Sequence, residues 1–424
     1  MALTSSLIRQ QIPLMPTGPL SQRSTIVNAN VLEDIPKLTS QWSSGRILLV
    51  ASRSLAKNQS TVQDLQKALG STLAATKLGV GSHSPYADVL DVARLLQKHD
   101  ADALVCIGTS SYSDACKAAR LLAATLPPNQ LTVEGINSIM DFKKGRTKSG
   151  ALKDPKAKLI LVPCSLSASE YNPVSSATDP NGKKEHFGDV VHHLSAAADY
   201  VLLDPAVAAT VPENIWLESG ARAIDHCVES IVSKATQDEG VKIALEALSA
   251  LIFGLQKYKT CHTRKAANDD VELLEAISAC QVGARKAIST IICYGSKMGP
   301  SHAIGHQLGS VGHVAHGLTS CVCLAGVLRY EKRHADSRFW NVPRHEDVLK
   351  AFNRELGWEE SEAGDAVERF YRSLGLATRL KEVGVTSEKA IRQIAEQTLT
   401  DIWGNGEPQM TKIEEVLEVL NDVR

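Results

Sequence analysis

The first half of the chain alternates short apolar runs with segments in which apolar residues recur at helical spacing. Such runs are typical of buried strands, and the intervening pattern is typical of amphipathic helices. Strand, helix and strand in succession predict a parallel sheet with right-handed crossovers. The predicted strands are Arg46–Ser54, Leu73–Val80, Ala103–Gly108, Leu159–Pro163 and Tyr200–Leu203, and the predicted helices are Thr61–Leu69, Asp88–Lys98 and Ser113–Ala124.

After about residue 205 the strand pattern disappears, and long segments rich in alanine and leucine replace it. The sequence therefore predicts an α/β fold in its first half and an all-helical domain in its second half. We place a flexible N-terminal segment over residues 1–30, the α/β domain over 31–205 and the helical domain over 206–424. The helices predicted in the second half are Leu217–Ser233, Gly240–Lys257, Asp270–Thr290, Pro300–Gly309, His345–Leu356, Asp365–Leu374, Glu388–Leu399 and Lys412–Leu420.

The charges of the 424 residues are nearly balanced, with 46 Lys and Arg against 47 Asp and Glu and a net charge of -1. This balance provides no basic field for nucleic acid or for an anionic membrane. No apolar run approaches the roughly 18 residues that a membrane-spanning helix needs. We therefore expect a small-molecule substrate, with neither a nucleic acid nor a membrane as partner.

Nine cysteines, an odd number without any CxxC pair, favour reduced and buried thiols in a reducing compartment. The first 32 residues contain Arg9 and Arg23 and no acid, as mitochondrial transit peptides do. Pro13, Pro16 and Pro19 would break an amphipathic helix there. We expect a cytoplasmic protein, with mitochondrial import as the alternative.

A tight turn follows the predicted strand Ala103–Gly108 and leads directly into a helix. Backbone N–H groups at a helix N-terminus suit a pyrophosphate, although small hydroxyl residues before a helix are also ordinary caps. Another strand ends in Pro163–Glu170 (PCSLSASE), whose small residues either form a plain turn or admit the nicotinamide side of a dinucleotide. The candidate cofactor-binding residues of these two segments are Gly108, Thr109, Ser110, Ser111, Asp114, Lys117, Ser165 and Ser169.

Histidines are concentrated in one part of the helical half, where His302, His306, His313 and His316 lie within fifteen residues. His302 and His306 are four residues apart and share one helix face. His226 lies on an earlier predicted helix. Imidazoles on facing helices bind divalent metals or donate protons, whereas a lone histidine is more often structural.

With these motifs the chain resembles the iron-containing (group III) alcohol dehydrogenase superfamily. The family motif G-G-G-S-x-x-D-x-x-K appears as GTSSYSDACK over 108–117. The pattern H-x-x-x-H followed by P-H-G appears as His302, His306 and the AHGL around His316. The resemblance implies a Rossmann-like dinucleotide-binding domain, a helical catalytic domain of the metal-binding type, NAD(P)H as cofactor and a homodimer.

The length of Pro163–Glu170 narrows the resemblance to one branch. Alcohol dehydrogenases of the family have P-T-T-x-G-T-G-S-E at this place, whereas maleylacetate reductases have the shorter P-T-T-Y-A-G-S-E. The segment PCSLSASE aligns with the shorter form without a gap. The chain is thus similar to the maleylacetate reductase-like branch.

One departure from the family pattern concerns the metal. The family helix D-x-x-x-H-x-x-E appears here with Arg222 in place of the Asp, followed by His226. Metal-dependent members complete a site of this Asp and three histidines, which would be His226, His302 and His316. A guanidinium repels a cation, and Asp225 would point about 100° around the helix, so binding of Fe or Zn stays open. We hypothesise that Arg222 fills the metal position and holds a substrate carboxylate or enolate.

A second departure concerns the nucleotide. Thr109 and Ser110 stand where the family has glycines, which would cost roughly 1 kcal/mol or more if either needs a positive φ. At the end of the first strand, Ser52 and Arg53 stand where many members have an Asp that contacts the adenosine ribose. Loss of the acid favours NADPH, unless Arg53 simply faces water.

The predicted function is NAD(P)H-dependent hydride transfer to an activated C=C or C=O bond of a small, acidic substrate. His306 would be the proton donor, while Arg222, His226 and His302 orient the substrate and stabilise oxyanion charge. Two alternatives stay open. One is a metal-dependent (Fe or Zn) alcohol dehydrogenase that uses His226, His302 and His316, and the other is a redox-inactive member with a binding or lyase-type biosynthetic role.

Overall fold

A computed structural model describes residues 7–188, 196–401 and 407–424. The chain divides into two compact units, Met1–Val211 and Pro212–Arg424. The predicted α/β fold followed by a helical half is confirmed by the order of the strands and helices. The units separate after residue 211 rather than after the predicted 205.

Short strands supply the sheets of the first unit. They are β1 (Gln10–Pro13), β2 (Ser24–Val27), β3 (Ile47–Ala51), β4 (Leu73–Leu78), β5 (Ala103–Gly108), β6 (Met140–Asp141), β7 (Arg146–Thr147), β8 (Lys158–Pro163), β9 (Ser175–Thr178), β10 (Lys184–Phe187) and β11 (Tyr200–Leu203).

Seven of these strands form the main sheet in the order β1-β2-β11-β8-β5-β3-β4. Every neighbouring pair is parallel except β1 and β2, which are antiparallel. The five strands predicted from the sequence are β3, β4, β5, β8 and β11. All residues of β3 and β5 are buried, since a parallel sheet in an α/β fold is covered on both faces.

The N-terminal segment differs from the prediction. Gln10 pairs with Val27 across β1 and β2, and β2 pairs in parallel with β11. Residues 10–13 and 24–27 are therefore strands of the sheet rather than parts of a flexible segment, and residues 1–6 lie outside the described residues. Strands β1 (QQIP) and β2 (STIV) are only four residues long and are not continuous apolar runs, which is why the sequence did not predict them.

Helices connect the strands, and a small second sheet has the order β6-β7-β10-β9. The strands of this second sheet are two to four residues long and were likewise not predicted. The helices are α1 (Val31–Gln41), α2 (Arg53–Asn58), α3 (Thr61–Leu69), α4 (Tyr86–Lys98), α5 (Ser110–Thr125), α6 (Val133–Ile139) and α7 (Pro205–Ala208).

The second unit consists of helices joined by turns. They are α8 (Glu213–Val232), α9 (Asp238–Thr263), α10 (Val271–Cys293), α11 (Pro300–Ser310), α12 (His316–Arg333), α13 (His345–Leu356), α14 (Ala363–Ser373), α15 (Glu388–Thr398) and α16 (Ile413–Asp422). The sequence did not predict α12. Residues 319–328 of this helix are all buried, and a helix buried on every side shows no amphipathic pattern.

All nine cysteines are free thiols, eight of them buried, in agreement with the buried reduced thiols that the sequence predicts. Within the described parts of the chain, no helix combines the length and the apolar character needed to cross a bilayer.

Candidate active site

Four polar side chains of α8 lie on one face of the helix and inside the helical unit. Arg222, Asp225, His226 and Glu229 occupy consecutive turns of α8 on that face. They are buried, with exposed fractions of 4%, 0%, 5% and 4%. Because a buried charge is costly unless it is paired, each charged group must find its partners within the unit.

Glu229 joins α8 to α11. Its carboxylate accepts hydrogen bonds from the backbone N–H groups of Gly299 (2.7 Å), Ser301 (2.8 Å) and His302 (3.3 Å). It thereby caps α11, whose own N-cap residue Gly299 has no side chain to do so. Burial raises the pKa of Glu229 to about 7, although the N–H donors and Arg222 act in the opposite direction.

Ser320 of α12 links Asp225 to Arg222. The Ser320 hydroxyl donates to Asp225 Oδ2 at 2.6 Å and accepts from Arg222 Nη1 at 3.0 Å. Ser301 donates to the same carboxylate oxygen at 2.9 Å, and Arg222 Nη1 lies 3.9 Å from it. Burial raises the pKa of Asp225 to about 6. Asp225 thus contacts Arg222, Ser301 and Ser320 inside the helical unit. This position differs from the prediction that Asp225 points away from the site around the helix.

His226 and His302 form a buried pair with stacked rings, whose centroids are 4.9 Å apart. Burial lowers the pKa of both rings, to about 3 for His302, and the charge of Arg222 lowers both further. Both rings are therefore neutral at about pH 7. His302 Nδ1 lies 2.7 Å from Glu229 Oε2, but in a geometry that gives neither ring nitrogen of His302 a hydrogen bond.

His306 and His316 form a second pair nearer the surface. Their rings are nearly parallel, at 8°, with centroids 6.5 Å apart. The side chain of His306 is 28% exposed, and His316, the first residue of α12, is exposed. His306 Nδ1 lies 3.2 Å from both carboxylate oxygens of Asp401. Gln307 donates to Asp401 Oδ2 at 2.7 Å.

Gly305 lies between the two histidines of α11 and lets α12 approach. A Cβ atom at this position would lie 3.0 Å from Thr319 Oγ1 and 3.5 Å from Arg222 Nη1. The glycine of the HAIGH sequence is therefore required by the close packing of α11 against α12 and Arg222.

In the first unit, the turn after β5 presents the N-terminus of α5. Thr109 has a φ of -78°, and Ser110 is not among the residues with positive φ, so the two missing family glycines cause no left-handed strain. The N–H groups of Ser110 and Ser111 have no acceptor among the described residues. They are free donors at the positive end of a 16-residue helix, which suits an anionic ligand. The Tyr112 ring covers Gly108, where a Cβ would lie 2.4 Å from Tyr112 Cγ.

Lys117 of α5 has a fully buried side chain and holds the turn that follows β8. Its Nζ donates to the carbonyl oxygens of Ser169 (2.7 Å), Asn172 (3.1 Å) and Val174 (3.1 Å). It also pairs with Asp114 Oδ1 at 2.9 Å. This position differs from the predicted contact with the cofactor, because every donor of the ammonium is directed into the protein. Asp114 keeps 17% of its side chain exposed.

The turn that Lys117 holds contains Ser165 and Ser169. Ser165 Oγ lies 3.1 Å from Ser167 Oγ, and Ser169 Oγ is buried without a hydrogen-bond partner among the described residues. Ala168 has a φ of +61°, which costs an alanine about 1–2 kcal/mol. Burial raises the pKa of Glu170 to about 7. A strained residue beside an unpartnered hydroxyl is a pattern found at ligand sites.

Ser52 and Arg53 follow β3. Ser52 caps α2, and the exposed Arg53 donates to the carbonyl of Leu78 at the end of β4, at 3.2 Å. Because β4, β3, β5 and β8 are parallel neighbours, the turns that follow β3, β5 and β8 lie along one edge of the sheet. This edge is the one at which α/β folds bind dinucleotides, and the residues present there, except Lys117, fit such a ligand.

Comparison with known proteins agrees with this arrangement. Residues 22–205 match the family "Iron-containing alcohol dehydrogenase", and residues 217–423 match "Fe-containing alcohol dehydrogenase family, C-terminal". The dehydrogenase ALT3 of Alternaria alternata is 30% identical over 410 residues, which cover 90% of this chain and 100% of that protein. The chain belongs to the iron-containing alcohol dehydrogenase family. Members of this family are oxidoreductases.

Solved structures of other proteins share the fold. Maleylacetate reductase from Rhizobium sp. strain MTP-10005 superposes with a TM-score of 0.71 at 18% identity, covering 96% of this chain and 97% of that one. Sulfoacetaldehyde reductase from Bifidobacterium kashiwanohense, solved in complex with NAD+, gives a TM-score of 0.75 at 17% identity, covering 93% and 95%. At these identities the likeness concerns the fold alone.

The iron-containing alcohol dehydrogenase family implies a metal, and the residues present do not fit one. Among the described residues, the buried group whose ligand atoms lie within 4.8 Å of one another is Asp225, Glu229 and His302, not the three predicted histidines. Glu229 already accepts from three N–H groups, and Asp225 Oδ2 accepts from two hydroxyls with Arg222 Nη1 3.9 Å away, whereas Asp225 Oδ1 has no hydrogen-bond partner among the described residues. A divalent ion about 4 Å from the guanidinium would meet a repulsion of roughly 8 kcal/mol at an effective dielectric constant of 20.

The sequence did not predict four polar residues that contact the buried group on α8 or the outer histidine His306: Ser301, Gln307, Ser320 and Asp401. Serine, glutamine and aspartate are common on helix surfaces, so their types alone carry no information. Asp401 is 95 residues from His306 along the chain. Only Ser301 could have been found from the sequence, because it directly precedes the candidate His302.

Proposed function

We propose that this chain is an NAD(P)H-dependent reductase that transfers a hydride to an activated C=C or C=O bond of a small acidic substrate, without a bound metal. The observation that carries the proposal is the position of Arg222. Its guanidinium lies among the side chains that would surround a metal, 3.9 Å from Asp225 Oδ2 and close enough to lower the pKa of both buried histidines.

The lack of a suitable metal site restricts the substrate. A Lewis acid polarises a simple carbonyl group, and without one the acceptor bond must be activated by its own conjugation. An alkene or enol conjugated to a carboxylate meets this requirement, as maleylacetate does. The segment PCSLSASE, similar to that of maleylacetate reductases, supports the same class.

Our sequence-based hypothesis for Arg222 needs revision. Its side chain is 5% exposed and is held by Ser320 and Asp225, so it is not a free clamp for a substrate carboxylate. We assign to Arg222 the compensation of the charges of Asp225 and Glu229, which keeps α8, α11 and α12 together without a metal ion. The exposed imidazoles of His306 and His316 are the groups that can face an acidic substrate.

The residues of the chain have separate tasks in this reaction. When bound, the dinucleotide supplies the hydride. The N–H groups of Ser110 and Ser111 bind its pyrophosphate, and Arg53 faces the adenosine ribose, where it tolerates a 2′-phosphate. His306, with Nδ1 facing Asp401, gives a proton from Nε2 to the reduced substrate.

The test is oxidation of NADPH and NADH by the purified protein with maleylacetate, with and without a strong chelator, alongside metal analysis. We expect the chelator to leave turnover unchanged and metal analysis to find no stoichiometric metal. Turnover abolished by the chelator and restored by Fe²⁺ or Zn²⁺ would refute the metal-free assignment and favour the metal-dependent alcohol dehydrogenase.

Dinucleotide binding, followed by quenching of protein fluorescence, separates the remaining outcomes. Binding without turnover of maleylacetate would refute this substrate class. Absence of binding would overturn the redox proposal and favour a binding or lyase-type role. The variant His306→Asn serves as a matched control, because it should bind the dinucleotide normally and lose turnover.

A further inference from the structure

We propose that Asp401 is a positioning residue that fixes the tautomer and the orientation of His306, and that Gln307 sets the orientation of Asp401. This inference rests on the proposed function for its catalytic consequence. The arrangement itself lies wholly within the second unit and is read from side-chain contacts.

The side chains of His306 and Asp401 are in direct contact. Both carboxylate oxygens of Asp401 lie 3.2 Å from His306 Nδ1. A carboxylate only accepts hydrogen bonds, so the proton of the ring must sit on Nδ1 in the neutral state. The other nitrogen, Nε2, then carries no proton in the neutral ring, and it binds a proton when the ring becomes an imidazolium.

The carboxylate of Asp401 is more deeply buried than the imidazole of His306. The side chain of Asp401 is 5% exposed, whereas that of His306 is 28% exposed. Asp401 therefore approaches the imidazole from the protein side, and the ring keeps an accessible face. A buried acid that orients an exposed imidazole is the arrangement by which catalytic histidines are held in one tautomer.

Gln307, which follows His306 in the chain, also contacts Asp401. Its Nε2 donates to Asp401 Oδ2 at 2.7 Å, and its Oε1 accepts from the Ser310 hydroxyl at 3.1 Å. Because a carboxylate only accepts, the amide NH₂ of Gln307 must face Asp401, which directs the amide oxygen to Ser310. Gln307 thus supplies a donor at Oδ2 and restrains the orientation of the carboxylate.

This chain of contacts defines a proton balance for the reduction. The imidazolium of His306 breaks its Nε2–H bond and gives that proton to the substrate atom next to the one that receives the hydride. The neutral ring retains its Nδ1–H bond to Asp401. A solvent proton then restores the imidazolium, so that each turnover consumes one proton and one hydride.

The variant Asp401→Asn tests the proposal with little change in shape. Gln307 continues to donate to the amide oxygen at the Oδ2 position, so the new NH₂ group takes the Oδ1 position, 3.2 Å from His306 Nδ1, and donates to it. The ring then carries its proton on Nε2, and the imidazolium is disfavoured because two donors would oppose each other. We expect a loss of turnover of at least about 100-fold, the lower range for a general acid, with unchanged dinucleotide binding.

Two further variants separate positioning from folding. The double variant Asp401→Asn with Gln307→Ala lacks the Gln307 donor that orients the new amide. The amide can then turn its oxygen to His306, and part of the lost turnover should return. In a His306→Asn background, Asp401→Asn should cause no further loss, since Asp401 acts only through the ring.

A measurement without substrate keeps this test independent of the proposed function. ¹⁵N NMR of histidine-labelled protein should show the Nδ1–H tautomer for His306 in the native chain and the Nε2–H tautomer in Asp401→Asn. An unchanged tautomer would overturn the proposal, and so would an equal loss of turnover in the His306→Asn background. If no reduction is found at all, the proposed function fails while the tautomer still decides the role of Asp401.

Discussion

Replacing Arg222 by methionine should destabilise the helical unit strongly, because it leaves two buried carboxylates without their cation. Methionine has a similar length and is tolerated in cores. Removing one member of a buried charge pair costs about 3–5 kcal/mol in the free energy of unfolding. In a unit of this size each kcal/mol of destabilisation lowers Tm by about 2–4 °C. The expected cost therefore corresponds to a fall in Tm of roughly 6–20 °C.

The cost should depend on pH with a defined sign. The pKa of Asp225 is raised to about 6 and that of Glu229 to about 7, and the charge of Arg222 opposes both shifts. An acid whose pKa is raised in the folded state stabilises the fold at low pH. This contribution to the free energy of unfolding is lost as the pH rises through that pKa. Without Arg222 both pKa values rise further, so the variant should be weakest at about pH 8 and recover toward about pH 5, where both acids take up protons.

The assay is urea denaturation followed by far-UV circular dichroism at several pH values. Arg354→Met is a matched control, since Arg354 is 66% exposed and pairs with Glu355 on the surface. Its cost should stay within about 0.5 kcal/mol. A cost below about 1 kcal/mol for Arg222→Met at high pH, or one that grows on acidification, would falsify the compensating role of Arg222.

Three other substitutions test separate contacts. Lys117→Met removes the buried ammonium that donates to three carbonyl oxygens and pairs with Asp114, and it should lower the unfolding free energy by about 3–5 kcal/mol and weaken NADPH binding. The exposed Lys156→Met should do neither, as thermal unfolding and fluorescence titration can show. Gly305→Ala places a Cβ 3.0 Å from Thr319 Oγ1 and should cost about 1–3 kcal/mol in urea denaturation. Gly309→Ala on the same helix, with its nearest neighbour at 3.8 Å, should be neutral or stabilising, and equal costs for the two would contradict the packing role of Gly305. Arg53→Asp should lower kcat/KM for NADPH relative to NADH by about tenfold or more, and an unchanged ratio in steady-state kinetics would mean that Arg53 faces water.

The sequence predicted those parts of the fold that carry a periodic or continuous apolar pattern. The strand ALVCIG and the helices Thr61–Leu69 and His345–Leu356 have the bounds that their patterns indicated. The two-residue strands and four of the four-residue strands (β1, β2, β9 and β10) were missed because so few positions show no period. The four-residue strand β11 (YVLL) was predicted because it is a continuous apolar run. Helix α12 was missed for the opposite reason, since its buried residues lack a polar side that would mark the helix.

The site was predictable only where its residues form local motifs. His302 and His306 are linked by helical spacing, and their membership of one helix follows from the sequence. The division of the histidines into a buried pair and an outer pair, however, depends on how α8, α11 and α12 pack. The partnership of His306 with Asp401 is set by the docking of distant helices, which no local pattern encodes.

The capping of α11 by Glu229 has a consequence for how the site comes into existence. Helix α11 has 11 residues and no N-cap side chain of its own, and isolated helices shorter than about 12–15 residues are marginal in water. Its first turn depends on a carboxylate 72 residues earlier in the chain. The helix that carries His302 and His306 therefore has little reason to form before α8 has docked. The histidines acquire their arrangement late in folding, and fraying of the last turns of α8 would release both of them together.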